Sequence, residues 1–353
     1  MTTDFTYDAL PGRVVFGPGA RARLADESDA LGVRRILLIA GEHEAALADE
    51  VSAVLGDRVV GRYTDVVQHV PEAKAEVARA MARDLDADAT LTIGGGSATG
   101  FGKAVSLAVP IPQIALPTTY AGSEMTPIWG LSDGSRKWTG RDPAAQPRVV
   151  VYDPELTLSL PAAIAGPSGL NALAHSVEAL YGPGTNPVIS LLALESVRVL
   201  HHALPIVVER PDDLEGRTEA LYGAYLAACT LAVAGTALHH KTCHVLGGMY
   251  GLDHGGMNAV VLPHALRYNQ PAIPEQHGRL AGVLPGDPAE ALFDLARAIG
   301  APSSLADLGM PEAGVADAAP HVVEDAAANV RPPDVESVRS MLDDAFHGRR
   351  PPA

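Results

Sequence analysis

The chain contains 353 residues, with 26 basic and 42 acidic side chains and a formal net charge of −16. Its length suggests about two domains, and its 47% hydrophobic and 19% charged content excludes a disordered polypeptide. The acidic balance argues against nucleic acid as a partner, and the lack of a run of ~20 apolar residues argues against a membrane span. Two cysteines are too few for a disulfide framework, so we expect a cytoplasmic protein.

Short apolar runs alternate with helix-like segments in the first half of the chain. The runs are aliphatic and β-branched, as buried strands are, and the segments between them have helical spacing. The predicted strands cover residues 34–40, 58–63, 89–93, 113–116 and 148–152, and the predicted helices cover residues 42–55 and 71–85. Strands that alternate with helices pair in parallel, so residues 1–160 are predicted to form an α/β domain.

Long segments rich in Ala and Leu dominate the second half of the chain. Their amphipathic or wholly apolar character is typical of packed helices. The predicted helices cover residues 186–204, 214–234, 289–300 and 335–346. Residues 161–353 are therefore predicted to form an all-α domain.

A glycine-rich turn, GGGS at residues 94–97, directly follows one predicted strand and precedes a helix. Glycines there let backbone N–H groups approach a pyrophosphate, and the helix N-terminus adds a favourable dipole. The next strand also ends in a polar turn, with Thr118 and Thr119, at the sheet edge where cofactors bind. A tight strand-to-helix turn without a ligand explains the glycines equally well.

Histidines recur at helical spacing in the second half of the chain. Asn171 and His175 are four residues apart, as are His240 and His244, and His254 follows after a break. This spacing presents metal ligands or acid–base groups on one helix face. The alternative, a hydrogen-bonded core histidine, is our interpretation of His201, His202, His239 and His264.

These motifs resemble the iron-containing alcohol dehydrogenase superfamily. Within it, the runs PTTYAGSEMTPIWGL, KWTGRD, GLNALAHSVEALY and LHHKTCHVLGG resemble the maleylacetate reductases. The resemblance implies the dehydroquinate synthase-like fold, with an N-terminal dinucleotide-binding α/β domain followed by an all-α domain. It implies NADH or NADPH as the cofactor, and we expect a homodimer.

The resemblance also implies a set of cofactor-binding residues. Gly95, Gly96 and Ser97 would hold the pyrophosphate, and the remainder of the cofactor would contact Thr118, Thr119, Ser123 and Lys137. Cofactor preference stays open. Glu42, shortly after the first predicted strand, would accept the ribose hydroxyl of NADH, or its surroundings would leave room for the phosphate of NADPH.

Metal-dependent members of the superfamily hold iron or zinc with an Asp and three His. The corresponding positions here are Asn171, His175, His240 and His254, so the only anionic ligand is missing. The resemblance to maleylacetate reductases implies a site that works without metal. Three neutral imidazoles still suffice for zinc, so His175, His240 and His254 form the fallback metal set.

The implied reaction is reduction of the C=C bond of maleylacetate, or of a related unsaturated keto acid, by NAD(P)H. Such a small dianionic substrate needs cationic or N–H partners, and Lys241 is the best candidate for a charged clamp. His244 or His175 is the candidate general acid, because a histidine pKa lies near working pH. Tyr120 either lines the pocket or packs over the nicotinamide. His240 and His254 complete the catalytic set.

One segment departs from the maleylacetate reductase pattern, and a second segment has a feature outside that pattern. Residues 255–259, GGMNA, stand where maleylacetate reductases tend to carry Ala-Glu-Thr-His, and they are closer to the metal-using alcohol dehydrogenases. A metal-dependent alcohol dehydrogenase and an NAD-using, non-redox cyclase therefore stay open as alternatives. The two tryptophans, Trp129 and Trp138, flank residues 133–135 and indicate a hairpin or lid.

Overall fold

The computed structural model describes residues 5–7, 9–10, 12–133 and 136–352. Its contacts divide the chain into two compact units, an α/β unit of residues 9–160 and a helical unit that begins at Pro161. The helical unit also includes residues 5–7, which the sequence analysis assigned to the first domain. The predicted fold class, an α/β region followed by a helical one, is confirmed.

The α/β unit is built on a parallel sheet that has six strands within the described residues, in the order β1-β8-β5-β4-β2-β3. Its strands are β1 (Arg13–Phe16), β2 (Ile36–Ala40), β3 (Val59–Tyr63), β4 (Ala89–Gly94), β5 (Gln113–Pro117) and β8 (Val149–Tyr152). Alternate residues of β2 enter two separate hydrophobic clusters, Leu38 in one and Leu37 in the other. The sheet is therefore covered on both faces, which explains why its strands are continuous apolar runs.

Four α-helices cover this sheet: α1 (Leu24–Leu31), α2 (Ala45–Leu55), α3 (Glu72–Asp84) and α4 (Gly96–Ala108). The predicted helix over residues 42–55 begins as a 3-10 turn, Glu42–Glu44, before α2. The helix predicted from Pro71 begins one residue later, because Pro71 occupies the N-cap. Strand β1 was not predicted. It is a four-residue edge strand of mixed burial.

The predicted hairpin is present, formed by β6 (Ile128–Ser132) and β7 (Lys137–Arg141) in antiparallel pairing. Trp129 lies opposite Gly140, and a Cβ at Gly140 would come within 2.5 Å of the indole ring. Glycine is therefore required there by the packing of the tryptophan. Two residues of the predicted turn, Gly134 and Ser135, lie outside the described residues, and a role as a lid stays a prediction.

The helical unit contains the remaining helices: α5 (Ala162–Ala179), α6 (Pro187–Glu209), α7 (Leu214–Ala234), α8 (Leu238–Tyr250), α9 (His254–Asn269), α10 (Pro274–Ala281), α11 (Pro288–Ala298), α12 (Gly314–Asp325) and α13 (Val335–Phe346). Helices α5, α6 and α7 pack against one another. Asn186 fixes the start of α6 by accepting hydrogen bonds from the N–H groups of Val188 and Ile189.

Helix α6 is long and apolar enough to cross a membrane, and α7 with α8 passes the same test as a pair bent by 92°. The apolar window of α6 is 44% buried inside the unit, against α5 and α7. Its solvent side carries the ion pair between Glu195 and Arg198. One helix that passes this test by length and composition is weak evidence for a membrane span.

Candidate active site

The glycine-rich turn joins β4 to α4 as predicted. Gly94 has a φ of +136°, a conformation that requires glycine. Gly95 is the N-cap of α4, and no side chain caps this helix. Its first-turn N–H groups are therefore available to an anion, at the carboxyl edge of a parallel sheet. These features fit the pyrophosphate of a dinucleotide, held by Gly95, Gly96 and Ser97.

The polar turn after β5 lies against this glycine turn. The Thr118 N–H donates to the Gly94 carbonyl at 3.2 Å. A Cβ at Gly95 would lie 2.9 Å from Thr119 Oγ1, so the two turns are in close contact. Ser123 follows in a 3-10 turn, and Tyr120 is completely buried, which favours packing over a role at an open surface.

Lys103, in the helix that follows the glycine-rich turn, is buried and bound to backbone carbonyls. Its side chain is 1% exposed, and Nζ donates to the carbonyls of Thr126 and Ile128 at 2.7 and 2.6 Å. Burial lowers the pKa of Lys103 to about 7. Glu124 is buried nearby, accepts a hydrogen bond from Tyr152, and has its pKa raised by burial. Lys103 therefore anchors the 123–128 segment.

A carboxylate does lie beside the glycine turn, but it belongs to Glu44 and not to Glu42, which is exposed. A Cβ at Gly41 would be 3.2 Å from Glu44 Oε2, and one at Gly94 would be 3.5 Å from Oε1. Glu44 thus covers the adjacent ends of β2 and β4, and its partial burial raises its pKa. The position of Glu44 was not predicted, because residue spacing does not reveal the 3-10 turn, Glu42–Glu44, that places its carboxylate beside Gly94.

Lys137, at the start of β7, is exposed, and its Nζ lies 3.5 Å from Nε2 of His69. His69 and Val70 have positive φ angles of 66° and 46°. Ser132 holds them there, since its Oγ donates to the His69 carbonyl at 3.0 Å. Burial and the lysine charge lower the pKa of His69. Nothing in the sequence indicates that His69 lies beside Lys137, because the backbone conformation of His69 depends on its contact with the hairpin.

The predicted histidine cluster is assembled by α5, α8 and the first residue of α9. The rings of His175 and His240 stack at 4.1 Å with an interplanar angle of 9°, and His244 lies 6.5 Å from His240. Asn171 Nδ2 lies 3.4 Å from His175 Nε2. His254 is close enough to lower the pKa of both stacked rings. The structure therefore brings together Asn171 and all four predicted histidines.

Three buried polar atoms of this cluster have no hydrogen-bond partner within the described part of the chain: Asn171 Oδ1, His175 Nδ1 and His240 Nε2. Buried polar groups are normally satisfied, and exceptions concentrate at functional sites. The cluster therefore offers polar atoms to a ligand.

Burial opposes protonation of His175, His240 and His244, contrary to the expectation of a pKa near working pH. Burial lowers the pKa of His175 and His240 well below the ordinary value of 6.5, and neighbouring histidines lower it further. Burial and His254 also lower the pKa of His244.

Acid is expected to destabilise the helical unit because it contains buried neutral histidines. Burial lowers the pKa of His264 to about 4. Between pH 6.5 and 4 the unfolded chain binds a proton that the folded chain does not, so stability is lost as pH falls. His264 alone accounts for ~3 kcal/mol. Thermal unfolding between pH 7.5 and 4.5 should show a shallower fall in Tm for His264→Asn than for wild type. Equal slopes for wild type and His264→Asn would contradict the prediction.

Glu178 is a member of the cluster that was not predicted, whereas His239, interpreted as a hydrogen-bonded core histidine, is buried and lies 3.2 Å from the Asn258 carbonyl. Glu178 is fully buried, and it accepts hydrogen bonds from the Ala237 and His239 N–H groups at 2.9 and 2.7 Å. Its Oε2 also lies 2.6 Å from His240 Nδ1. Burial raises the pKa of Glu178, and these N–H groups oppose the rise. The signal was present, since a carboxylate follows His175 by three residues in an otherwise apolar helix.

Lys241 extends away from the His175–His240 stack. Its Nζ pairs with Asp325 at 3.4 Å, and about a third of its side chain is exposed. Neighbouring residues of a helix face different directions, which explains why Lys241 does not follow His240. Its role as a clamp on the substrate stays a prediction.

The departing segment at residues 255–259 is explained by packing. A Cβ at Gly255 would lie 2.8 Å from the Pro167 side chain, and one at Gly256 would lie 2.6 Å from Leu308. Asn258 is buried, and its Nδ2 donates to the His254 carbonyl at 2.7 Å. Its own carbonyl lies 3.2 Å from His239 Nε2. The segment thus supports the histidine cluster through its backbone.

The fallback metal set does not fit a shared ion. In the described parts of the chain, one trio of metal-binding side chains has ligand atoms within 4.8 Å of one another: Glu178, His239 and His240. His175, His240 and His254 form no such trio. Imidazole lone pairs lie in the ring plane, and one ion cannot lie in the planes of two parallel stacked rings.

Two family models match the chain. One, described as iron-containing alcohol dehydrogenase, matches residues 11–154, and the other, described as the Fe-containing alcohol dehydrogenase family, C-terminal, matches residues 166–346. The chain belongs to the iron-containing alcohol dehydrogenase family, and it is an oxidoreductase.

Full-length similarity extends to proteins named maleylacetate reductase. The protein from Sphingobium indicum is 49% identical over 348 residues, covering 98% of this chain and 99% of that protein, and the Burkholderia cepacia protein is 45% identical with the same coverage. The crystal structure of maleylacetate reductase from Agrobacterium tumefaciens has a TM-score of 0.94 and 42% identity, covering 99% of this chain and 100% of that one. The predicted resemblance is confirmed.

Proposed function

We propose that the protein reduces the C=C bond of maleylacetate, or of a related unsaturated keto acid, with NADH and without a metal ion. The observation that carries the proposal is Asn171 at the head of the buried histidine cluster, in place of an anionic ligand. Similarity to maleylacetate reductases of 42–49% identity supports the substrate class.

The chain supplies a donor and a proton site for this chemistry. A bound nicotinamide supplies hydride to one alkene carbon, and the other carbon takes a proton. The Asn171 amide donates to His175 Nε2, so His175 Nδ1 carries a proton and has no partner among the described residues. This N–H suits the ketone oxygen, where negative charge develops. The negative charge of a bound dicarboxylate raises the pKa of nearby histidines, so a histidine takes up a proton when the substrate binds.

The absence of a carboxylate ligand and the stacked rings support a metal-free reaction. Asn171 offers only a weakly donating amide oxygen, and the His175 and His240 lone pairs do not converge. The neighbouring Glu178 is engaged by three N–H donors, which leaves it poorly suited to bind a cation.

The decisive test is a nicotinamide-absorbance assay with maleylacetate, keto acids and simple alcohols, with and without chelator. We expect oxidation of NADH with maleylacetate that survives chelation, and less than about 0.1 metal ion per chain by elemental analysis. Loss of activity on chelation, about one zinc or iron per chain and turnover of simple alcohols would select the metal-dependent alcohol dehydrogenase. Product formation without a net change in absorbance would select a cyclase.

NADH preference is expected to depend on Glu44. Its carboxylate covers the ends of β2 and β4, where it would accept ribose hydroxyls and repel a 2′-phosphate. Glu44→Gln should lower kcat/KM for NADH and raise it for NADPH, changing their ratio by about 10-fold or more, which corresponds to ~1.4 kcal/mol. Glu42→Gln, an exposed carboxylate in the same turn, is the matched control. A change in the ratio with Glu42→Gln alone would assign the preference to Glu42 instead.

A further inference from the structure

Glu178 joins the backbone and a side chain of α8 through one buried carboxylate. One oxygen, Oε1, accepts the His239 N–H at 2.7 Å. The other, Oε2, accepts the Ala237 N–H at 2.9 Å and lies 2.6 Å from His240 Nδ1. The two backbone donors belong to the N-terminus of α8, which no side chain of its own caps. Glu178 therefore caps α8 from α5 and contacts the ring of the third residue of that helix, His240.

This contact determines which nitrogen of His240 carries the proton. Each oxygen of Glu178 accepts a backbone N–H, as the oxygens of an ionised carboxylate do, and a carboxylate that only accepts makes Nδ1 of His240 the protonated nitrogen. Its Nε2 then presents a lone pair, and Nε2 has no hydrogen-bond partner in the described part of the chain. The His175 ring stacks against the His240 ring and restricts its rotation, so the direction of the Nε2 lone pair is fixed as well.

A metal-binding role for the same three side chains is less consistent with their contacts. Both Glu178 oxygens already accept hydrogen bonds from N–H groups, and His239 Nε2 lies 3.2 Å from the Asn258 carbonyl, a partner that requires a donor. No ligand atom of Glu178 or His239 is left without a hydrogen-bond partner. Among these three side chains, His240 Nε2 is the ligand atom that has no hydrogen-bond partner within the described residues.

We propose that Glu178 is a positioning residue that sets the tautomer of His240 and aims its Nε2 at the reacting substrate. The proposal rests on the proposed function only for the identity of that substrate. In the reaction, Nε2 takes up a proton from solvent when the dianionic substrate binds. It then gives that proton to the alkene carbon that does not receive hydride and returns to the neutral form, while Nδ1–H stays bonded to Glu178 throughout.

The tautomer is measured directly on the wild-type protein labelled with ¹⁵N-histidine. We expect the His240 signals, assigned by their loss in His240→Asn, to report a protonated Nδ1 and an unprotonated Nε2. A protonated Nε2 in wild type overturns the proposal, whatever the variants do. This measurement needs no substrate, so it is separate from any failure of the proposed function.

Glu178→Gln tests the consequence. An amide cannot accept from all three donors, and its NH₂ group placed toward His240 moves the proton to Nε2. We expect a shifted tautomer and a kcat lowered by about 100-fold, with KM for NADH within 2-fold of wild type. Glu178→Asp keeps a carboxylate and should retain the wild-type tautomer with a smaller loss of kcat.

Ser196→Ala is the matched control, because it breaks a different buried hydrogen bond between α5 and α6, from Ser176 to Ser196 at 2.7 Å. It should lower Tm but leave the tautomer and kcat unchanged. The proposal fails if Glu178→Gln keeps a protonated Nδ1, or if its loss of kcat is matched by Ser196→Ala at equal loss of Tm. Should Glu178→Gln not fold, the wild-type tautomer and Glu178→Asp decide.

Discussion

Replacement of His240 by Asn is expected to lower kcat for the keto acid by about 10²- to 10⁴-fold. An asparagine amide reaches the position of Nδ1, so the contact with Glu178 is retained, whereas Nε2 and the stacked ring are lost. The variant therefore isolates the atom that has no protein partner. The turn at residues 94–97 is unaltered, so the Kd for NADH, measured by fluorescence, should stay within 2-fold of wild type.

His264→Asn controls for the loss of a buried histidine. His264 lies on α9 beside Phe293, and it makes no ring contact with His175 or His240. Equal Tm losses in the two variants with a loss of kcat in His240→Asn alone would assign the effect to chemistry. A kcat within 3-fold of wild type in His240→Asn would show that the cluster is structural.

The fold was largely predictable because its elements carry local signals. Strands such as β2 are buried on both faces and read as continuous apolar runs, and α7 and α13 have the bounds that their spacing predicts. Strand β1 was missed because its partner, β8, lies more than 130 residues away in the chain. Four residues of mixed burial give no periodicity, so only the long-range pairing defines them as a strand.

Site residues that share one helix could be predicted from their spacing, whereas contacts between residues of different helices could not. Spacing of four placed Asn171 with His175 on one helix, and the same rule paired His240 with His244. The stack of His175 on His240 joins residues 65 apart, and its parallel geometry is a result of how α5 and α8 pack. The parallel geometry also favours a metal-free site over the fallback metal set, because the lone pairs of two parallel rings do not converge on one ion.

Charge was the feature that the sequence described least well. Lys103 follows the glycine-rich turn in the chain, yet its side chain is buried against carbonyl groups, because the residue lies on the inner face of α4. Lys241 is next to His240 in the chain, yet it pairs with Asp325. A lysine next to a site in sequence is therefore weak support for a charged site, since its long side chain follows the nearest acceptor.

Replacement of Gly95 by Ala is expected to weaken NADH binding by about 10- to 100-fold, equivalent to ~1.4–2.7 kcal/mol. Gly95 has φ of −84°, which any residue adopts, so the effect does not come from backbone strain. It comes from space, because the new Cβ would lie 2.9 Å from Oγ1 and 3.1 Å from Cγ2 of Thr119. Thr119, a predicted cofactor residue in the turn after β5, must then move away from the N-terminus of α4.

Gly100→Ala separates cofactor binding from damage to the helix. Gly100 lies in the same helix, and its Cβ would meet Val70 at 2.7 Å, so the substitution disturbs packing away from the turn. We expect both variants to lose Tm and only Gly95→Ala to lose NADH affinity, as measured by fluorescence titration. Wild-type affinity in Gly95→Ala would mean that the glycines serve a tight turn alone. Equal loss of affinity in both variants would mean that α4, and not its first N–H groups, determines binding.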